Sequence, residues 1–433
     1  MRSFRELRTN LALRTALAAA VACPMPASAA VVAKSSEVFV TSLGINTHVS
    51  LSTLVGPLSP YFNANTVVGQ LQYLGIHHLR DDIRNTSNGT LNDYSILGSA
   101  GNSLMLMFAP NHFATPSTAL TTLQPVAPYI EALEGSNEID ISPPTYQNYS
   151  GAPAATAYQK DLWKARAGNP AFTKAQVVYY TYGNFVINPV TGAVTSGLDS
   201  AGNVHAYPAN GQPPYKTLAS AATIELPNSR TVWMSETNYP TGLPATIQSV
   251  PQAVQASYLL DTLFDNAALG FARTYIYELD DEANNLSNKE DCFGLFNYNG
   301  SPKPAATAVH NLIQILSTSK TGTMGALAFT LSQAVAVPSN DANTFHLLLQ
   351  KPGGQYELIV WAEPVLIANP YAGVPNPPPP APHAVTITFP VKHTTINVYD
   401  PLQGTSPINT YTLQNSVTVS TTDHPLIIEI TPG

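Results

Sequence analysis

The chain has 433 residues and a formal net charge of −8, and charged residues make up only 11% of it, against roughly 25% in ordinary domains. This composition offers no basic face for nucleic acid and fits a neutral ligand, so we expect no nucleic-acid partner. The length is sufficient for one barrel of typical size and one smaller domain.

Residues 1–29 have the pattern of a secretory signal peptide. A basic start precedes an alanine-rich apolar run, and Ala27-Ser28-Ala29 matches an A-x-A cleavage site. We therefore expect cleavage near Ala29 and a secreted or periplasmic mature protein. The residues around Cys23 imitate a lipoprotein box poorly, so a lipid anchor is the less favoured alternative. No later stretch approaches the roughly 20 apolar residues of a membrane helix, so we expect no membrane span.

Cysteine usage gives little chemistry. Removal of residues 1–29 would leave Cys292 as the only cysteine, so the sequence predicts no intrachain disulfide. Cys292 stands in an apolar segment with no base beside it, which favours a packed core thiol over a nucleophile. We expect no cofactor, no metal ion and a monomeric chain.

The first part of residues 30–320 alternates apolar runs with helical patterns, as a chain of βα units does. One helix is predicted over 64–75, with Gly75 as its end, and another begins at Thr115 or Ser117. Strands one to four are predicted at Val38–Asn46, Ile76–Arg80, Leu104–Pro110 and Tyr129–Leu133.

The same alternation continues after an irregular rim loop at Asp140–Pro153. A helix is predicted from Thr156, its expected cap, to Ala167, and a long helix from Val250 to Leu269, ended by Gly270. Strands five to eight are predicted at Gln176–Gly183, Asn203–Pro208, Thr231–Thr237 and Arg273–Leu279, and a last helix at Ala306–Leu316. The chain is therefore predicted to form an α/β (β/α)8 TIM barrel over 30–320.

Two glutamates stand where predicted strands end. Glu138 follows Asn137 just after strand four, and Glu236 closes strand seven. The residues between them have room for three βα units at roughly 30 residues each, so both carboxylates should lie at one end of the barrel. Gly135 is expected to let the backbone turn toward Glu138. One carboxyl that protonates a leaving oxygen and another that attacks an anomeric carbon suffice for glycoside cleavage. The alternative is a pair of solvated loop side chains.

This order of strands and glutamates resembles that of the retaining glycoside hydrolases of clan A. Within that clan, the sequence motifs are similar to those of members related to family thirty-nine. Those enzymes are (β/α)8 barrels with an Asn-Glu acid/base after strand four and a nucleophilic Glu after strand seven. The resemblance spans residues 38–315. It implies that Glu138 is the acid/base and Glu236 the nucleophile.

The resemblance also implies residues that bind or orient. Arg80, at the end of strand two, would keep the nucleophile ionised, although a surface salt bridge with Asp81 or Asp82 is the alternative. Asn137 would bind a sugar 2-hydroxyl. His205 and Tyr207 point to the same side of strand six and would bond the nucleophile or a sugar, or else pack inside the barrel.

Three further features lie near the predicted rim. Tyr239 is a candidate stacking platform for a sugar ring. His48 follows strand one, where either a substrate contact or a structural histidine is expected. The acidic run Asp280–Glu282 has the composition of a cation site, but we predict a solvated loop.

Residues 321–433 change to the alternating pattern of antiparallel strands. Phe345–Gln350 and Tyr356–Trp361 flank a Gly353-Gly354 turn and predict a hairpin. Pro375–Pro382 predicts an extended polyproline loop. Four more strands are predicted at Ala384–Phe389, Thr395–Tyr399, Ser416–Ser420 and Leu426–Ile430, which together indicate a C-terminal antiparallel β-sandwich. The absence of a long linker favours rigid packing on the barrel over an independent sugar-binding module.

The sequence therefore predicts a secreted retaining β-glycoside hydrolase with a carbohydrate substrate. A non-catalytic carbohydrate-binding or scaffold protein on the same barrel is the rival hypothesis, which the presence of both glutamates disfavours. An inverting hydrolase is a third hypothesis, and it requires carboxyl groups roughly 6.5–9.5 Å apart instead of about 5–5.5 Å. The sugar, the linkage and endo or exo action stay open, because loop shapes determine them.

Overall fold

The computed structural model describes residues 30–186, 198–208, 211–226, 231–242, 249–318, 322–333, 344–352, 354–367 and 381–432. The predicted signal peptide, Gly353 of the predicted hairpin turn and most of the predicted polyproline loop lie outside the described residues. In the described ranges, no helix combines the length and the apolar character that a bilayer-spanning helix requires.

Eight parallel strands form the sheet of the first domain. Neighbours in the chain are neighbours in the sheet, and strand eight returns to strand one. A parallel bridge between Val178 and Ala201 links strand five to the chain that enters strand six. These contacts confirm the predicted (β/α)8 barrel. Strands one to eight are Leu43–Thr47, His78–Asp82, Ser103–Met107, Ile130–Glu134, Gln176–Val178, Gly202–His205, Val232–Thr237 and Arg273–Ile276.

Helices surround this sheet and two of them end as predicted. Gly75 and Gly270 both adopt left-handed backbone angles, with φ of 79° and 105°, immediately after the last helical residue. The described α-helices are Ser36–Thr41, Val49–Val55, Ala64–Leu74, Asn88–Ser99, Pro116–Thr122, Ala152–Gly168, Tyr215–Glu225, Gln252–Leu269 and Pro304–Leu316. The 3-10 turns are Pro60–Phe62, Gln124–Tyr129, Pro170–Phe172 and Lys289–Cys292.

The barrel interior is filled by side chains from several strands, as expected for a closed parallel sheet. Strand one contributes a glycine there, because a Cβ on Gly44 would lie 2.4 Å from the ring of Tyr275. The lack of a side chain at Gly44 thus leaves room for an aromatic ring. The interior cluster consists of Met105, Ala132, Val178, Ala201, Trp233 and Tyr275.

Several predicted element boundaries are wrong, and two of them have a clear physical cause. Ser36–Thr41 is a helix and not the start of strand one, since the Ser35 hydroxyl caps it and Phe39 stacks on Phe264 with ring centroids 5.0 Å apart. This packing outweighs the strand preference of its β-branched residues. The helix predicted to begin at Thr156 begins at Ala152, because Pro153 occupies its first turn, where proline is favourable.

The second domain is a curled, mostly antiparallel sheet of seven strands that encloses its own apolar core. The predicted hairpin is confirmed, with Leu348 opposite Leu358. The two strands predicted at Ala384–Phe389 and Thr395–Tyr399 are one long strand with a register shift between Thr388 and His393. The seven strands of this sheet are Lys34–Ser35, Thr330–Gln333, Thr344–Gln350, Tyr356–Ala362, His383–Tyr399, Asn409–Thr421 and Leu426–Thr431.

The first described residues join this second domain, although the sequence assigned them to the barrel. Ala30–Val32 pairs antiparallel with Ala326–Ala328, and Lys34–Ser35 pairs with Thr344–Gln350. The chain therefore contributes Lys34–Ser35 to the seven-stranded sheet and Ala30–Val32 to a separate two-stranded sheet before it enters the barrel.

The sandwich packs directly on the helix Gln252–Leu269. Phe264 and Trp361 contact each other with ring centroids 5.9 Å apart, and the Tyr258 hydroxyl donates to the Pro364 carbonyl at 3.0 Å. Trp361 belongs to the same apolar cluster as the barrel helices. The two domains thus share one continuous core.

Carboxyl groups without ion-pair partners lie in this interface. Asp261 is fully buried and neither of its oxygens accepts a hydrogen bond, and Asp265 and Glu363 share the indole N–H of Trp361. Within the described parts of the chain, no cation pairs with any of the three acids. Burial, reinforced by Glu363, Asp265 and Asp423, raises the pKa of Asp261 well above its ordinary value.

A pH dependence of stability follows. A carboxyl whose pKa is raised by folding makes its full contribution to stability at a pH below its pKa in the unfolded protein, which is near 4. This contribution is lost as the pH rises through the pKa of the folded protein. Asp261→Asn removes the charge, so we expect it to stabilise the protein by about 1–3 kcal/mol at pH 8 and to change little at pH 4, in thermal unfolding. Asp161→Asn, at a partly exposed helix position, is the control. Equal effects of Asp261→Asn at both pH values would refute this explanation.

Candidate active site

A pocket of about 510 Å³ opens at the carboxyl ends of the barrel strands. Polar and aromatic side chains from strands one, two, four, six, seven and eight and their following loops line it. Among them are Asn46, His48, Arg80, Asn137, Glu138, His205, Tyr207, Glu236, Tyr277 and Phe293. All the predicted site residues except Tyr239 therefore meet in one place.

Glu138 and Glu236 face each other across this pocket. A carboxylate oxygen of each lies within 4.8 Å of the other and of a ring nitrogen of His205. His205 Nδ1 is 2.9 Å from Glu138 Oε1 and 3.4 Å from Glu236 Oε2. The imidazole thus bridges the two carboxylates.

The backbone around Glu138 is unusual. Glu138 has a φ of 39°, a left-handed conformation that costs energy for a residue with a side chain, and Thr181 holds it. The Glu138 N–H donates to Thr181 Oγ1, and the next N–H donates to the Thr181 carbonyl, both at 3.0 Å. Gly135 is required for close packing and not for the predicted turn. A Cβ at this position would lie 2.0 Å from Gln159 Oε1.

Glu236 is buried and is surrounded by donors. Arg80 Nη1 donates to its Oε1 at 2.5 Å, and the Tyr207 hydroxyl donates to its Oε2 at 2.7 Å. Burial alone would raise the pKa of Glu236, but His205, Arg80 and Tyr207 together lower it below its ordinary value. The site therefore favours an ionised Glu236.

Arg80 is buried where the sequence placed it, and its surface salt-bridge alternative is wrong. Its guanidinium donates to Glu134 through Nε at 2.5 Å and Nη2 at 3.0 Å, in addition to its bond with Glu236. Asn46 and Asn137 accept from the remaining N–H groups at 2.7 and 2.8 Å. Arg80 is thus fully occupied by site residues.

The carboxylates next to Arg80 in the chain have other partners. Asp81 accepts the backbone N–H groups of Val49 and Ser50 at the start of a helix, at 2.7 and 3.1 Å. Asp82 pairs with Arg84 at the pocket rim. Neither competes with Glu236 for Arg80.

The predicted stacking role of Tyr239 is wrong for geometric reasons. Its side chain is fully buried against Tyr258, with ring centroids 5.2 Å apart, and its hydroxyl donates to the Gln212 carbonyl. A buried ring has no face for a sugar. Tyr277, which follows strand eight, lines the pocket instead and packs beside Phe293, with ring centroids 5.4 Å apart.

His48 lies in the pocket wall between two carboxylates. Its Nε2 is 3.1 Å from Glu278 Oε2 and 3.2 Å from Glu282 Oε1. Burial would lower the pKa of His48, but the two glutamates and Asp81 raise it to about 9. The two glutamates thus favour the protonated form of His48, whose Nε2 lies between them.

The acidic run at 280–282 is not the solvated loop that we predicted. Asp281 is buried and accepts from Lys303 Nζ at 2.6 Å, and Asp280 accepts from Gln70 Nε2, also at 2.6 Å. Both donors lie far away in the sequence, so the run of charges alone does not reveal them.

In the described part of the chain, two groups of side chains have donor atoms spaced closely enough for a metal ion. The first group is Glu138, His205 and Glu236. Its atoms already take part in hydrogen bonds, between His205 and Glu138 and from Arg80 and Tyr207 to Glu236. The second is His48, Glu278 and Glu282, where the protonated imidazole itself accounts for the close approach of two carboxylates.

Several site residues were missed in the sequence. Glu134, Ser235, Tyr277 and Glu278 contact the carboxylate pair, its partners or the pocket, and no motif marks them. Their positions in or just after strands four, seven and eight are the one available signal, since parallel strands in a barrel bring their carboxyl ends together.

Comparisons with solved structures place this fold among glycoside hydrolases. A family 39 glycoside hydrolase from the gut symbiont Bacteroides cellulosilyticus WH2 matches with a TM-score of 0.61 and 12% identity, over 90% of this chain and 81% of that one. A glucosidase from Croceicoccus marinus matches with a TM-score of 0.56 and 12% identity, over 94% of this chain and 98% of the other.

The chain has the fold of these enzymes. No family model matches the sequence, and no curated protein matches it either. The predicted architecture, a (β/α)8 barrel with a second β-domain, is thus confirmed by structure. At 12% sequence identity, the likeness to these two proteins is one of architecture alone.

The Arg80 network makes a prediction about stability. Arg80→Met leaves Glu134 and Glu236 buried without their cation, so we expect a loss of about 3–5 kcal/mol at neutral pH, measured by denaturant unfolding. Because Glu236 has a lowered folded pKa, the stability that its pairing contributes is present above the unfolded pKa near 4.3 and is lost as the pH falls through the folded value. The loss should therefore shrink in acid.

Arg84→Met is the matched control for this substitution. Arg84 pairs with Asp82 but is 39% exposed, so its removal should cost at most about 1 kcal/mol. Similar losses for the two variants would contradict a special role of the buried network.

Proposed function

We propose that this chain is a secreted retaining β-glycoside hydrolase that acts on an oligo- or polysaccharide by double displacement. The observation that carries the proposal is the pair Glu138 and Glu236, with carboxylate oxygens within 4.8 Å of each other at the end of a barrel. This spacing favours retention, which uses carboxyl groups about 5–5.5 Å apart, over inversion, which needs roughly 6.5–9.5 Å.

In the first step, Glu236 attacks the anomeric carbon while Glu138 donates its proton to the leaving oxygen. The C–O bond to the leaving group breaks, and a glycosyl ester with Glu236 forms. In the second step, Glu138 removes a proton from water, whose oxygen attacks the anomeric carbon and releases Glu236. The lowered pKa of Glu236 supports its role as the nucleophile.

Other residues support a glycoside substrate. Asn137 lies in the pocket, oriented by Arg80, where it would bind a sugar 2-hydroxyl. Tyr277 and Phe293 offer aromatic surface for the apolar face of a sugar ring. Both reported structural neighbours are named as glycosidases, which supports the class at the level of fold. Secretion rests on the pattern of residues 1–29.

The carboxylate pair is tested by hydrolysis of a polysaccharide and aryl-glycoside panel with Glu138→Ala and Glu236→Ala. We expect Glu138→Ala to lower kcat/KM by about 10²–10⁴-fold, the contribution of general acid–base catalysis, and Glu236→Ala to lower it further. Azide should rescue the two variants differently. Glu138→Ala should give a β-glycosyl azide, because azide attacks the covalent intermediate. Glu236→Ala should give an α-glycosyl azide, because azide attacks the substrate directly and no covalent intermediate forms.

Glu37→Ala, on a helix outside the pocket, is the control and should retain full activity. Undiminished turnover by either pocket variant would remove that glutamate from the mechanism. Binding of a glycan without any turnover by the unmodified chain would favour a carbohydrate-binding protein instead.

The nucleophile assignment also predicts a pH effect. The Tyr207 hydroxyl stabilises the ionised form of Glu236, so Tyr207→Phe should raise the pKa of Glu236. Since Glu236 must be ionised to attack, the acidic limb of kcat/KM should move up by about one pH unit while the basic limb stays. A shift of the basic limb alone would assign Tyr207 to Glu138.

A further inference from the structure

A chain of buried hydrogen bonds runs from the pocket into the barrel. His205 Nδ1 lies 2.9 Å from Glu138 Oε1, and His205 Nε2 lies 2.9 Å from Ser235 Oγ. The Ser235 hydroxyl in turn donates to Glu134 Oε1 at 3.4 Å. Glu134, Ser235 and His205 are all at most 1% exposed. A carboxylate that never reaches the pocket is thus connected to the proposed acid/base.

The partners of Glu134 give this chain a direction. Arg80 donates two N–H groups to Glu134, and Asn203 Nδ2 donates a third at 2.7 Å. With these donors around it, Glu134 acts as an acceptor, so the Ser235 hydroxyl points its hydrogen toward Glu134. The Ser235 oxygen then offers a lone pair to the other neighbour, His205 Nε2, which must supply a hydrogen.

We propose that Glu134 and Ser235 are positioning residues that keep a proton on His205 Nε2, so that His205 Nδ1 and Glu138 Oε1 share the single proton used in catalysis. This inference rests on the proposed function, in which Glu138 is the acid/base. Neither Glu134 nor Ser235 touches the substrate. They act through His205.

The proton balance of the proposed reaction is consistent with this arrangement. Before the first step, one proton lies between His205 Nδ1 and Glu138 Oε1, either as an imidazolium beside a carboxylate or as an imidazole beside a carboxylic acid. Glu138 passes this proton to the leaving oxygen. In the second step, water returns one proton to the same pair. The other proton stays on Nε2, hydrogen-bonded to Ser235 Oγ, throughout, so the pair is ready for another cycle.

The charges around His205 determine its pKa. Burial lowers its pKa, Glu236 and Glu138 raise it, and Arg80 lowers it, with a net rise above the ordinary value. Tyr207, another titratable group in the pocket, donates to Glu236. Because a hydrogen bond donated by an imidazolium is stronger than one donated by a neutral imidazole, Ser235 stabilises the protonated form.

Ser235→Ala removes the acceptor of the Nε2 proton and tests the proposal. We expect the pKa of the shared proton, and with it the basic limb of kcat/KM, to fall by about one unit, the size of shift that one buried hydrogen bond to a charged group produces. The acidic limb, which follows Glu236, should not move. Ser235→Thr retains the hydroxyl and should restore the basic limb. A purely structural role would lower kcat/KM at every pH and leave both limbs in place.

Nitrogen-15 NMR of the full chain with ring-labelled histidine supplies a readout independent of activity. The His205 signals are assigned by their loss in His205→Gln, and Nε2 should carry a proton at every pH between the two limbs. An unprotonated Nε2 in the unmodified chain overturns the proposal, even if Ser235→Ala fails to fold. An unchanged pKa in a folded Ser235→Ala variant also overturns it.

The two proposals fail in different ways. If Nε2 is protonated and Ser235→Ala lowers the pKa of His205, yet no glycoside in the panel is hydrolysed, the hydrogen-bond chain stands and the function is wrong. If glycosides are hydrolysed but Nε2 is unprotonated, the function stands and this inference is wrong.

Discussion

The buried guanidinium of Arg80 is the interaction on which the pocket depends. It pairs with Glu134 and Glu236 at once, and so connects strands two, four and seven through a single side chain. A buried cation is tolerated only where its hydrogen bonds are satisfied, and here Asn46 and Asn137 accept the remaining ones. The closed barrel supplies this geometry, because it brings the carboxyl ends of separate strands to one place.

This network gives the two carboxylates of the pocket different environments. Glu236 is enclosed by donors, whereas Glu138 is reached by His205 and stands on a strained loop that Thr181 holds. Different surroundings for two similar groups are what an acid and a nucleophile require. The sandwich supports the pocket indirectly, since it packs on the helix Gln252–Leu269, which follows strand seven and its Glu236.

The barrel and the carboxylate pair were predictable because their signals are local. Glu138 and Glu236 stand at the ends of apolar runs, and Gly75 and Gly270 mark helix ends by their own backbone angles. What failed depends on partners distant in the sequence. Ser36–Thr41 is helical because Phe39 meets Phe264, Asp281 is buried because Lys303 meets it, and Tyr239 is buried because Tyr258 covers it. Glu134 was missed for the same reason, since its partner Arg80 lies on another strand.

We propose that Glu236 forms a covalent bond with the sugar while Glu138 donates and then accepts the proton. A panel of activated 2-deoxy-2-fluoro glycosides, incubated with the protein and followed by peptide mass spectrometry, tests this most directly because such sugars slow the second step. We expect one glycosyl adduct on Glu236, absent from Glu236→Ala and still formed by Glu138→Ala, because an activated leaving group needs no proton from Glu138. An adduct on any other residue, or a hydrolysis product of inverted anomeric configuration, would contradict it.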